Sequence, residues 1–208
     1  MAATDLTRRG AAALIGGGAA LALLGGCREG GKWHSVQVQG ALPDLSFAMT
    51  RADDGKPVTQ ADYLGRPVML FFGFTNCEDV CPLTMANVVE VLSKMGAAGR
   101  DVAALFVTVD PSRDTLPVLK QFADTFDPRV DALRGTDNQL ASLARRYRVT
   151  YKVMPATATQ PYRVLHGPSI YVFDRKGKAR LMIPKFYDGS ADIAGVAADM
   201  TRLAKEPA

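Results

Sequence analysis

The stretch Cys77-Glu78-Asp79-Val80-Cys81-Pro82 holds the residues most able to do chemistry. Two cysteines four positions apart can turn their sulfurs toward a common point. They can close a disulfide, act as a redox pair, or hold one soft metal ion. Their setting favours a reactive thiol. Ahead of them, Val68-Met69-Leu70-Phe71-Phe72-Gly73-Phe74 is a continuous apolar run and predicts a strand buried on both faces. Behind them, Met85, Val88, Val89, Leu92 and Met95 recur at helical spacing and predict a helix over 82–96. Amides and dipole at a helix N-terminus stabilise a thiolate. Pro82 suits the first helical turn, where its missing N–H costs nothing. The plainer reading is a structural disulfide or two buried thiols. The polar pair Glu78-Asp79 between the sulfurs weighs against it.

The remaining elements must position that turn. Leu45–Met49 alternates as a strand, Asp53-Asp54-Gly55-Lys56 is a turn signal, and Pro57–Thr59 predicts the returning strand of a hairpin. Val102–Val109 predicts a second buried strand. Helices are expected over 114–126, from Leu116, Leu119, Phe122 and Phe126, and over 137–147. Tyr147–Val153 reads as extended. Ser169–Phe173 and Ala179–Ile183 flank the hairpin turn Asp174-Arg175-Lys176-Gly177, and Asp192–Leu203 closes as an amphipathic helix. An early βαβ unit followed by an antiparallel hairpin and a helix is an α/β, thioredoxin-like fold, with an N-terminal β-hairpin and additional elements. In that arrangement the loop before Ser169 faces the cysteine turn. His166, one of two histidines in the chain, lies in that loop. Two thiolates and one imidazole form a three-coordinate copper(I) site, and with a further ligand they could hold copper(II). A loop histidine bonded to its surroundings is the alternative. Met85 offers a thioether, but its spacing marks it as core. His34, beside Trp33, could complete a Cys2His2 zinc site only from within the expected tether.

The chain has 208 residues, 48% of them hydrophobic, 22% charged and 8% aromatic, which fits one globular domain with a tail and excludes low-complexity disorder. With 25 basic and 21 acidic residues the formal charge is +4 and no basic block stands out, so no nucleic acid is expected as a partner. Three cysteines are too few for a disulfide scaffold. Residues 1–26 have the layout of an export signal, with Arg8 and Arg9 before an apolar run from Ala11 to Leu24. Leu24-Gly25-Gly26-Cys27 resembles a bacterial lipobox, in which Cys27 becomes the lipidated first residue. Thr7-Arg8-Arg9 is a partial match to a twin-arginine signal. Residues 27–43 then read as lipidated N-terminus and flexible tether, and residues 44–206 as the domain.

Taken together, these segments are similar to the Sco/SenC family of copper-binding, thioredoxin-like proteins that help assemble cytochrome c oxidase, over roughly residues 42–205. Cys77-Glu78-Asp79-Val80-Cys81-Pro82 resembles the family's paired-cysteine motif. Val109-Asp110-Pro111-Ser112-Arg113-Asp114-Thr115 and Leu133-Arg134-Gly135-Thr136 resemble two further signatures. The resemblance implies copper ligation by Cys77, Cys81 and His166. It implies a membrane-tethered metallochaperone for the dinuclear copper centre of oxidase subunit II, with reduction of the target cysteines as a further role. A copper donor protein would load it at the periplasmic face of the bacterial cytoplasmic membrane. The rival is an extracytoplasmic thiol–disulfide oxidoreductase or thiol peroxidase that works without copper. Two departures are visible: Glu78 stands where the family often has proline, and Gly167-Pro168 follows His166 where serine or threonine is usual. Asp79 is expected near the site or as a cap. Asp114 is expected to cap the helix that follows it, with Asp110 and Arg113 beside the site or capping with it.

Overall fold

Ten strands and four α-helices follow one another in the computed structural model, which describes residues 31–208. In chain order they are β1 (Val36–Gln37), β2 (Ala48–Arg51), β3 (Pro57–Thr59), β4 (Val68–Gly73), α1 (Val80–Lys94), β5 (Ala103–Thr108), α2 (Leu116–Asp124), β6 (Val130–Arg134), α3 (Asp137–Arg146), β7 (Tyr151–Met154), β8 (Arg163–His166), β9 (Ile170–Phe173), β10 (Ala179–Ile183) and α4 (Ile193–Ala204). The export signal and Cys27 lie outside the described residues. No helix among the described residues is long and apolar enough to cross a membrane.

Eight strands form one sheet in the order β1-β10-β9-β4-β5-β6-β2-β3. β4, β5 and β6 run parallel, joined by α1 and α2, while β9 returns antiparallel against β4 and β10 against β9. The central order β5-β4-β9-β10, with α4 closing, is the thioredoxin-like arrangement. The additions are the β2–β3 hairpin at one edge and an insertion carrying β6, α3 and the separate β7–β8 ribbon. All six residues of β4 and all six of β5 are buried. Burying a large apolar side chain contributes about 1.5–3 kcal/mol, so these two strands anchor the core. Gly177 has a φ of +73°, which the turn between β9 and β10 requires and which glycine adopts without strain.

The structure departs from expectation in four places. The segment from Trp33, expected to belong to a flexible tether over 27–43, is held against the domain. Trp33 lies under Arg202 at 4.0 Å, the amides of His34 and Ser35 donate to the buried Asp199 carboxylate, and Val36 pairs with Met182. A segment held by a carboxylate and a two-residue strand leaves no periodic pattern to read. β2 begins at Ala48 rather than Leu45, whose amide donates instead to the Gly177 carbonyl at 2.7 Å. β6 was not expected at all. The extended run expected from Tyr147 begins only at Tyr151, and its partner β8 occupies a stretch read as loop.

Candidate metal centre

β4 ends at Gly73, where nothing larger fits. A Cβ built there would stand 2.8 Å from Cys81 Sγ and 2.7 Å from Phe106 Cε2. The chain then turns, with the Cys77 amide donating to the Phe74 carbonyl at 3.3 Å, and α1 starts at Val80. Cys81 is therefore in the first helical turn and fully buried, while Cys77 is half-buried in the loop before it. The Cys81 amide donates to Cys77 Sγ at 3.4 Å, which is the helix N-terminus acting on the sulfur as the sequence predicts. Both cysteines are free thiols.

His166 arrives from the other side, at the end of β8. Its Nε2 lies 3.3 Å from Cys81 Sγ. Its Nδ1 is 3.0 Å from the Gly167 carbonyl. A carbonyl only accepts, so Nδ1 carries the proton and, in the neutral ring, Nε2 presents its lone pair to the sulfurs. The ring is held in a slot, its plane nearly perpendicular to Phe71 and Phe74 at centroid distances of 5.9 and 5.6 Å. The ligand atoms of Cys77, Cys81 and His166 all lie within 4.8 Å of one another, and no other group of three such residues forms among the described residues. Two soft sulfurs and an imidazole nitrogen that converge in this way can hold a soft monovalent ion, and without an ion they can pass electrons through a dithiol–disulfide couple.

The two thiols differ in acidity. The hydrogen bond from the Cys81 thiol, helped by the amides of Cys81 and Asp79, outweighs burial and pulls the Cys77 thiol down to about 4. The same contact, with burial and the neighbouring thiolate, pushes Cys81 well above the ordinary thiol range. Cys77 is thus the thiolate of the pair and Cys81 its proton-bearing partner. For the reduced, metal-free protein, iodoacetamide should modify Cys77 first. The rate should stay nearly flat from about pH 8 down to about pH 6, where an ordinary thiol slows about tenfold per unit. A rate that falls in step with pH would show that the turn does not hold a thiolate.

The motif carboxylates divide differently from expectation. Asp79 occupies the N-cap position of α1 but makes no capping hydrogen bond through its side chain. Asp114 does not cap α2, whose N-cap residue is Thr115. It is buried instead and braces the cysteine turn: Thr75 donates to it through its amide at 3.1 Å and its hydroxyl at 2.6 Å, and the Thr108 hydroxyl donates at 2.5 Å. Asp110, also buried, accepts from Ser112, Arg113 and Tyr162. Burial works against its ionisation, but these donors prevail and hold it below the usual carboxylate range. Met85 is buried in the core, as its spacing predicts. His34 is not in the cluster; its Nδ1 is 3.2 Å from Asp192 Oδ2. Gly73, Thr75 and Tyr162 shape the site but were not singled out from sequence. Only Gly73, a glycine interrupting an apolar strand next to a cysteine turn, left a readable signal.

Residues 39–204 match the family model described as SCO1/SenC. Among curated relatives, the mitochondrial SCO2 homolog of Mus musculus is 34% identical over 171 residues, covering 79% of this chain and 67% of the relative. The SenC protein of Rhodobacter capsulatus is 31% identical over 169 residues, covering 79% of this chain and 70% of its own. A solved structure, ScoI of Bradyrhizobium japonicum with copper bound, is 34% identical with a TM-score of 0.66, covering 77% of this chain and 98% of that one. The chain thus spans about two thirds of the length of these curated relatives.

Proposed function

This chain belongs to the SCO1/SenC family, and from that premise we propose that it is a copper metallochaperone acting in assembly of the dinuclear copper centre of cytochrome c oxidase. Its copper would sit between Cys77, Cys81 and His166. Oxidase subunit II is the recipient we infer from the family, and a separate copper donor protein would load the site. Cys27, lipidated after removal of residues 1–26, would tether the domain to the periplasmic face of the bacterial cytoplasmic membrane. A SCO1/SenC family lipoprotein of Bacillus anthracis, 28% identical with a TM-score of 0.65, supports that anchor.

The observation that carries the reading is the approach of His166 Nε2 to Cys81 Sγ. A dithiol that only exchanges disulfides needs no imidazole beside the buried sulfur, whereas a copper(I) ion gains a third donor from it. The split acidity of the thiols also supports a second role on the same atoms. The Cys77 thiolate can attack a target disulfide, and Cys81 can then resolve the mixed disulfide. That leaves a Cys77–Cys81 disulfide and two reduced target thiols. Copper carriage and target reduction are therefore alternative uses of the reduced pair. The oxidised pair binds no copper.

Anaerobic titration tests this. The reduced protein should take up one tight equivalent of copper(I), and the protein oxidised to the Cys77–Cys81 disulfide none. His166→Ala should weaken the reduced form by more than about tenfold, since even a group that only orients a ligand is worth that much. Absence of tight binding, with disulfide exchange intact in wild type and His166→Ala alike, would move the protein to the thiol–disulfide oxidoreductase or thiol peroxidase class.

A further inference from the structure

The β7–β8 ribbon carries His166 but adds no strand to the main sheet. Its register puts Tyr151, Val153, Val164 and His166 on one face and Lys152 and Leu165 on the other. A lone two-stranded ribbon is marginal in water, so the position of His166 depends on what fastens the ribbon down. One fastening is the packing of Tyr151 and Val164 against the core, whereas the bond from the Gly167 amide to the Thr150 carbonyl at 3.0 Å only joins the two strands to each other. Another is Tyr162, immediately before β8 and four residues from His166.

Tyr162 reaches across to the segment between β5 and α2. Its hydroxyl donates to Asp110 Oδ1 at 2.8 Å and lies 3.3 Å from Ser112 Oγ. Its ring lies under the Arg113 guanidinium, 3.9 Å from the centroid. That guanidinium is fixed in turn, since Nε donates to Asp110 Oδ2. The anchor itself is firm, because Asp110 is 1% exposed and its own amide donates to Thr108 Oγ1 at 3.0 Å. Arg113 also lies 5.9 Å from the centroid of Phe74, and the Phe74 ring bounds the His166 slot. The metal centre therefore has two walls joined at Arg113, one holding the cysteine turn and one holding the histidine ribbon.

We propose that Tyr162 is a positioning residue whose clasp on Asp110 and Arg113 holds the β7–β8 ribbon closed, so that His166 stays within reach of the two sulfurs. Opening the clasp withdraws the imidazole and leaves copper on two thiolates, a form suited to ligand exchange with a partner. The inference rests on the copper reading above for its consequence, though not for its geometry. Two variants separate the contacts: Tyr162→Phe keeps the ring under Arg113 and loses the hydroxyl, and Tyr162→Ala loses both.

The first readout needs no copper. In the reduced, metal-free protein, amide hydrogen exchange over Arg163–His166 should speed up about tenfold in Tyr162→Ala and less in Tyr162→Phe, while exchange in β4 stays unchanged. Copper(I) affinity by chelator competition should fall about tenfold in Tyr162→Ala. It should not fall further when Tyr162→Ala is added to His166→Ala, because the clasp acts through the imidazole. Unchanged exchange over Arg163–His166 in Tyr162→Ala would overturn the clasp. So would an equal loss of affinity in the His166→Ala background. If the wild type binds no copper, the copper reading fails alone and the exchange data still decide the clasp.

Discussion

Cys81→Ser is expected to remove tight copper(I) binding while leaving the fold nearly as stable as before. A hydroxyl is a hard, weak ligand for a soft monovalent ion, and it cannot stand in for a thiolate. Loss of a group that merely orients a ligand costs about 10–100-fold in affinity, so loss of a ligand should exceed that range. Stability follows different reasoning. Cys81 is fully buried, and a buried hydroxyl is costly only when it lacks a partner. The serine hydroxyl would face His166 Nε2, which lies 3.3 Å from the sulfur it replaces, and the unprotonated nitrogen accepts. The stability change should stay within about 1–2 kcal/mol. Competition with a chromophoric chelator reads the first quantity and urea denaturation the second. Retention of wild-type affinity in this variant would remove Cys81 from the ligand set. A large loss of stability would mean that the site shapes the core and not the reverse.

The contrast with Gly73 shows how closely core and site are joined. The strand supplies no side chain at the point where Cys81 Sγ and Phe106 meet it. The sulfur is therefore packed as a core atom on one side and faces Cys77 and His166 on the other. This is why the pair was legible from sequence. A buried parallel strand reads as an unbroken apolar run, the helix after it reads by its period, and the cysteines stand at the junction. The same logic found β4, α1, β5, α4 and the β9–β10 hairpin.

Elsewhere the pattern was missing for physical reasons. Val130-Asp131-Ala132-Leu133-Arg134 pairs with β5 on one side, yet charged residues interrupt its apolar run. Asp131 accepts from the Tyr63 hydroxyl at 3.0 Å, so the charge has a partner that no local window contains. Arg163-Val164-Leu165-His166 alternates, but the stretch before it contains two prolines and the strand it pairs with is short, so it read as loop. Trp33–Gln37 joins the fold through Asp199 and two arginines far along the chain. In each case the deciding contact is distant in sequence.

Asp114→Ala should be the most destabilising single change near the site, at about 3–5 kcal/mol. The motif reading made Asp114 a helix cap, and loss of a cap costs only about 1 kcal/mol. The structure gives it a larger task. The Thr75 amide, the Thr75 hydroxyl and the Thr108 hydroxyl all donate to this one buried carboxyl. Removing it strands these donors at about 1–3 kcal/mol for each one left unpaired. The Thr75 hydroxyl can recover part of its share by turning to solvent. Asp114→Asn should cost less, because its carbonyl still accepts, while its amide nitrogen confronts donors it cannot satisfy. The loss should not stop at stability. Thr75 lies between the end of β4 and Cys77, so releasing it loosens the turn that aims the Cys77 sulfur at the α1 amides. Below the denaturation midpoint, the reduced Asp114→Ala protein should therefore show a Cys77 alkylation rate that regains the pH dependence of an ordinary thiol. If the variant unfolds with a loss of only about 1 kcal/mol and keeps the flat alkylation profile, the carboxyl is a cap after all and the brace has no energetic weight.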